Sequence, residues 1–134
     1  KKAKEMLGRF YSIRGRVVKG KGLGKKIGYP TANLEVVKEK LLPAKGIYAV
    51  RAKIKEDIHN AICYIGDSPT VSGEGRLSVE VHLFEMEKEI MGEELEVFFI
   101  ERVREERKFP TLQELVNQIE KDIAKARQIL SSNG

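Results

Sequence analysis

The stretch IYAVRAKI, residues 47–54, has a period of two. Ile47, Ala49 and Arg51 fall on one face, and Tyr48, Val50, Ala52 and Ile54 on the other. Successive side chains of a strand point to opposite sides of a sheet, so this alternation specifies β structure rather than helix. Residues 77–84 repeat it, with Leu77, Val79, Val81 and Leu83 one way and Ser78, Glu80, His82 and Phe84 the other. Residues 13–18, 60–65 and 95–100 are three more short strand-like runs. Gly66-Asp67-Ser68-Pro69, Ser72-Gly73-Glu74-Gly75 and Met91-Gly92 punctuate the gaps, and His59 reads as a solvated residue in a turn beside Asp57 and Asn60. Five or six short strands with no helix between them predict a mainly β fold, an antiparallel barrel or sandwich.

The period changes near the end. Thr111 and Glu114, after Pro110, have the spacing of a capping box. Leu112, Leu115, Val116, Ile119, Ile123, Ala126 and Leu130 then recur at three- and four-residue steps, with Glu114, Gln118, Lys121, Asp122 and Lys125 elsewhere on the wheel. This predicts a helix of about five turns that lays an apolar stripe on the strands. Residues 131–134 read as a frayed tail.

At 134 residues and 41% hydrophobic content, the chain fits one domain with its own core. Cys63 is the single cysteine, which excludes an internal disulfide; among Ala61, Ile62, Tyr64 and Ile65 it reads as a packing residue. A reducing, cytoplasmic setting fits. No apolar run approaches the roughly 20 residues that cross a bilayer, so no membrane partner is expected. Residues 1–10, KKAKEMLGRF, have no long apolar segment behind their charges, so they are expected to be a linker or frayed helix end rather than a signal peptide. The net charge of +5 permits nucleic acid or a phosphorylated small molecule.

The one strongly basic stretch is residues 20–33, GKGLGKKIGYPTAN. Gly20, Gly22, Gly24 and Gly28 let backbone amides approach an anion, and Lys21, Lys25 and Lys26 add charge. Pro30 fixes the turn and holds Tyr29 extended. Thr31 and Asn33, two apart, share a face if extended and offer hard oxygen ligands suited to Mg²⁺. Walker A and Rossmann spacings both fail here, since Gly24-Lys25 is followed by Lys26 and the last Rossmann glycine is replaced by Ile27. From these residues alone, a phosphate cradle and a lysine-decorated hairpin loop both stand.

The same run strongly resembles the signature of the riboflavin kinase family, a glycine-rich loop ending in Pro-Thr-Ala-Asn. The resemblance continues through Gly46-Ile47-Tyr48-Ala49-Val50, the segment NAICYIGDSPT at 60–70, the strand Ser78-Val79-Glu80-Val81-His82-Leu83 and the segment VREERKF at 103–109. It covers nearly the whole chain from about Leu7. Glu85 and Met91 depart from the family's usual Asp and Tyr, at positions away from the proposed phosphate and base residues. The resemblance implies a closed six-stranded antiparallel barrel with a C-terminal α-helix packed on it, spanning 11–130. It suggests that residues 1–10 join this module to an upstream FMN adenylyltransferase domain, as in bifunctional FAD synthetases; a free-standing kinase also fits.

It also implies a reaction: transfer of the ATP γ-phosphoryl group to the ribityl 5′-hydroxyl of riboflavin, giving FMN and ADP. By this likeness Gly20, Gly22, Gly24, Lys25, Gly28, Tyr29 and Pro30 hold the nucleotide, Thr31 and Asn33 face Mg²⁺, and Glu80 is the catalytic base. Asp67 would lie near the nucleotide, and Arg104 and Phe109 would meet the flavin ring. Each has an ordinary reading as well. Glu80 fits an outward-facing strand glutamate, Asp67 a common turn, Arg104 a salt bridge to Glu106, Phe109 a core aromatic, and His82 a structural residue. A small basic barrel that binds nucleic acid is the alternative function, though aromatic residues for base stacking are few.

Overall fold

The computed structural model describes residues 10–18, 32–36, 42–67, 77–84 and 92–132. Six strands, β1 (Ser12–Val18), β2 (Ala32–Val36), β3 (Gly46–Ile54), β4 (Asp57–Asp67), β5 (Leu77–Leu83) and β6 (Glu94–Arg104), precede one long helix, α1 (Leu112–Ser132). The strands pair antiparallel in the order β1-β2-β5-β4-β3-β6, and β1 pairs with β6 to close a barrel. Closure settles barrel over sandwich. Each of the six described strands then has a partner on both sides, which removes the free edge strands that another chain could pair with.

The alternation at 47–54 is borne out with both faces buried. Tyr48, Val50, Ala52 and Ile54 point into the barrel and pack with Cys63, Ile65, Val79, Val81, Val97 and Phe99. Ile47 and Ala49 point outward and are covered by α1 together with Ile62, Phe84, Val103, Ala126 and Leu130. The barrel therefore has an inner core and a second, outer core under the helix. Arg51, 4% exposed on that outer face, donates from Nη2 to the Leu130 carbonyl at 2.8 Å and from Nε to Asn60 Oδ1 at 3.3 Å. Burial lowers its pKa from the ordinary value. The last turn of α1 has no basic residue of its own, so β3 supplies the cation that its carbonyl end favours.

Several expectations are revised by long-range pairing. β2 had no strand pattern of its own, and β6 runs on to Arg104 rather than ending at residue 100. The turn between β3 and β4 is Lys55-Glu56, because Ile54 pairs with Asp57, and Lys55 takes a left-handed φ of 55°. His59 is therefore a half-buried strand residue paired with Ala52, not a turn residue. At the start of α1 the Glu114 amide donates to the Thr111 hydroxyl at 3.2 Å, but the Glu114 carboxylate accepts from that same hydroxyl instead of closing the box on the backbone. Leu112, placed on the apolar stripe, is 55% exposed, whereas Asp122, placed off it, is 1% exposed. The helix also continues through Ser131 and Ser132, where Ser132 donates to the Gln128 carbonyl, so the first half of the expected frayed tail is helical. Residues 133–134 lie outside the described residues.

Cys63 is fully buried in the inner core, as its neighbours suggested. Burial pushes its thiol far above the ordinary range, and the charge of Glu80 adds to the effect. The folded thiol holds its proton at pH values where the unfolded thiol, near 8.5, has lost it. Stability is thus unaffected below that value and falls as pH rises above it. Native protein at pH 8 is expected to resist thiol reagents and to react promptly once unfolded. Rapid labelling of the native state would contradict this packing.

Candidate active site

Two strands distant in sequence bring the central residues together. On β2, Leu34 turns into the barrel, which leaves Asn33 on the outer face; on β5, Val79 and Val81 turn inward and Glu80 faces outward. Register makes Asn33 and Glu80 direct cross-strand partners. Such partners have Cβ atoms about 4.5–5.5 Å apart. Both are half-buried. Glu80 is thus an outward-facing strand glutamate, half-buried beside an amide.

The same row of partners runs round the barrel. Glu80 opposes Tyr64 on β4, Tyr64 opposes Ile47 on β3, and Ile47 opposes Arg104 on β6. Asn33, Glu80 and Arg104, far apart in sequence, thus share one ledge of the outer surface. From Glu80 to Arg104 is three strand spacings, or about 14 Å. Register shifts between Ile47 and Tyr48 leave Val103 as an extra residue on β6. This bulge turns both Val103 and Arg104 toward the helix side, where Val103 joins the outer core. Gly46 permits the close approach: a Cβ there would sit 2.9 Å from the Arg104 carbonyl oxygen.

At this end of the ledge, Arg104 pairs with Asp122 of α1 and not with Glu106. Nε lies 2.9 and 3.0 Å from the two carboxylate oxygens, and Nη2 lies 2.8 Å from Oδ2. The Arg104 guanidinium carbon stands 5.5 Å from the Phe109 ring centre, and that of Arg107 stands 5.2 Å away. Phe109 is itself half-buried. The Glu106 carboxylate instead lies over Gly66, where a Cβ would collide with it.

His82 shares the outer face with Glu80, but its ring packs edge-on against Phe84 at 5.7 Å, and Arg127 lies over that same Phe84 ring at 4.5 Å. This is a packed, structural setting. Asp67 closes β4 opposite Leu77, three residues before Glu80 on β5. Gly20, Gly22, Gly24, Lys25, Gly28, Tyr29, Pro30 and Thr31 lie outside the described residues, as do residues 1–9. Among the described residues no cluster of three or more His, Cys, Asp or Glu side chains suits a metal ion. Of the two metal-facing residues expected from the sequence, Asn33 is described, and its amide oxygen is a hard donor of the kind Mg²⁺ takes beside phosphate, with the Glu80 carboxylate next to it.

Asp122 is the site residue that sequence reasoning missed. A signal existed, because it lies three residues after Ile119 and four before Ala126, on the buried stripe itself. Tyr64, between Glu80 and Ile47 on the ledge, was placed on a strand but given no role.

Comparison with known proteins agrees with the barrel fold. The family model described as Flavokinase, riboflavin kinase, matches residues 7–130. The bifunctional riboflavin kinase/FMN adenylyltransferase of Haemophilus influenzae is 41% identical over 131 residues, covering 97% of this chain and 42% of that protein. The chain thus spans about two-fifths of the length of the curated relatives it matches. A crystal structure of riboflavin kinase from Trypanosoma brucei matches with a TM-score of 0.63 at 25% identity, covering 90% of this chain and 79% of that one. A crystal structure described as a macrolide-efflux protein from Streptococcus pneumoniae matches with a TM-score of 0.81 at 35% identity, covering 95% of this chain and 41% of that one. Among the described residues no helix is long and apolar enough to cross a membrane.

Proposed function

The chain belongs to the riboflavin kinase family, and on that premise we propose that it transfers the γ-phosphoryl group of Mg-ATP to the 5′-hydroxyl of riboflavin, giving FMN and ADP. The observation that carries this reading is the cross-strand pairing of Asn33 with Glu80 on a half-buried outer face. Phosphoryl transfer asks a protein mainly for position and charge neutralisation. Glu80 accepts a hydrogen bond from the attacking hydroxyl and takes its proton. Asn33, beside it, orients oxygens of the metal–phosphate group, and Thr31, the residue before β2, adds its hydroxyl. When bound there, Mg²⁺ supplies positive charge to the phosphates. Gly20, Gly22, Gly24, Lys25, Gly28, Tyr29 and Pro30 cradle the nucleotide, with Asp67 at the end of β4 close by. Arg104 and Phe109 receive the flavin ring.

The alternative of a nucleic-acid-binding barrel is not favoured. The family match argues against it, and among the described aromatic residues only Tyr11 is exposed, which gives no row of stacking platforms. Residues 1–10 are proposed as the junction to an FMN adenylyltransferase domain, by likeness to bifunctional relatives that extend well beyond this chain. A cytoplasmic location goes with that proposal.

Incubation with riboflavin and Mg-ATP is expected to yield FMN and ADP in equal amounts, and omission of the divalent cation is expected to stop the reaction. Release of ADP without FMN, or no turnover at all by folded protein, would overturn the reading.

A further inference from the structure

We propose that Asp122 is a positioning residue that fixes the plane of the Arg104 guanidinium, so that Arg104 meets the flavin ring by a planar face. This rests on the riboflavin reading above and adds to it a residue on α1 and a mode of contact. Asp122 is almost fully buried, yet a buried ion pair is seldom better for stability than apolar side chains of the same size. Its geometry accounts for it in another way. The carboxylate grips Arg104 side-on through Nε and Nη2 at 2.8–3.0 Å. Gln118, one turn earlier on the helix, donates to Asp122 Oδ1 at 3.0 Å and fixes the carboxylate in turn.

The remaining nitrogen, Nη1, donates to the Glu105 carbonyl at 3.0 Å. Each of the three guanidinium nitrogens is thus held by protein through one of its N–H groups, which fixes the plane whose flat face is offered to a ligand. Its side chain is 18% exposed, so it is within reach of a ligand, and the Phe109 ring stands beside it. A weakly hydrated, planar cation stacks well on an aromatic ring system only if its plane is held, and a lysine ammonium cannot replace it. The ledge supplies the direction: Glu80 lies at one end for the hydroxyl of the side chain, and Arg104 lies three strands away for the tricyclic ring.

The test uses the 134-residue chain and reads Arg104 directly. In a ¹⁵N NMR spectrum the Arg104 Nε–H, held by Asp122, is expected to give a sharp, slowly exchanging signal that moves when riboflavin is added. That signal is expected to broaden or vanish in Asp122→Asn. In steady-state assays Asp122→Asn should raise the KM for riboflavin by roughly tenfold, the loss of one charge-assisted contact, with the KM for ATP unchanged. Arg104→Lys should do the same, and the double variant should be no worse than either single one, because both act through one group. A riboflavin addition that leaves the wild-type signal in place, or variants that lower thermal stability while both KM values hold, would overturn the inference. Failure of the kinase reading is separate, since the wild type would then form no FMN.

Discussion

Glu80→Gln is expected to lower turnover by about 10² or more, the size of removing a general base, while riboflavin binding is kept. Glutamine preserves the length of the side chain and one oxygen acceptor beside Asn33, so packing on the β2–β5 surface is undisturbed. What disappears is the capacity to take the hydroxyl proton. Loss confined to the transition state lowers kcat and kcat/KM together and leaves KM where it was. Single-turnover FMN formation and flavin fluorescence titration separate the two quantities. Turnover within a few-fold of wild type would remove Glu80 from the reaction, and a weakened riboflavin affinity with normal kcat would make it a binding residue instead.

The second large effect is on stability. Leu130 is 1% exposed and fills the outer core against Ile47, Ala49, Ile62 and Phe84. Leu130→Ala is expected to cost about 3 kcal/mol, within the range for a buried leucine whose surroundings relax only in part. For a domain of this size that corresponds to a fall in Tm of about 10 °C. The Leu130 carbonyl stays in place for Arg51, so the effect isolates packing from the hydrogen bond. An unchanged Tm would mean that α1 contributes little to holding the fold. Asp122 rides on the same helix, so the outer core both stabilises the barrel and keeps the Arg104 partner in position.

These two residues differ in how far the sequence announces them. Leu130 lies on a visible helical period. Glu80 is visible only as an outward-facing strand residue, and its assignment as a base came from resemblance. Period reports local geometry, which is why the two faces of residues 47–54, the inward set on β5 and the long terminal helix were all legible. The turn at Lys55-Glu56 was not, because neither residue is a usual turn former and only the Ile54–Asp57 pairing reveals it. β2 was hidden for a related reason: five residues after a proline carry too little pattern to identify a strand apart from its neighbours.

The sequence by itself determined the strand-rich class, the inward and outward sets of its clearest strands, the closing helix and the family. It did so because alternation, helical spacing and the Pro-Thr-Ala-Asn loop are all local. Only the tertiary structure decided that Asn33 stands beside Glu80, that a bulge turns Arg104 to the helix, and that Asp122 is its buried partner rather than a solvated helix residue. Each of those depends on inter-strand register or on how a helix rolls onto a sheet. Such choices are fixed by burial of the whole surface together, and no window of neighbouring residues contains them.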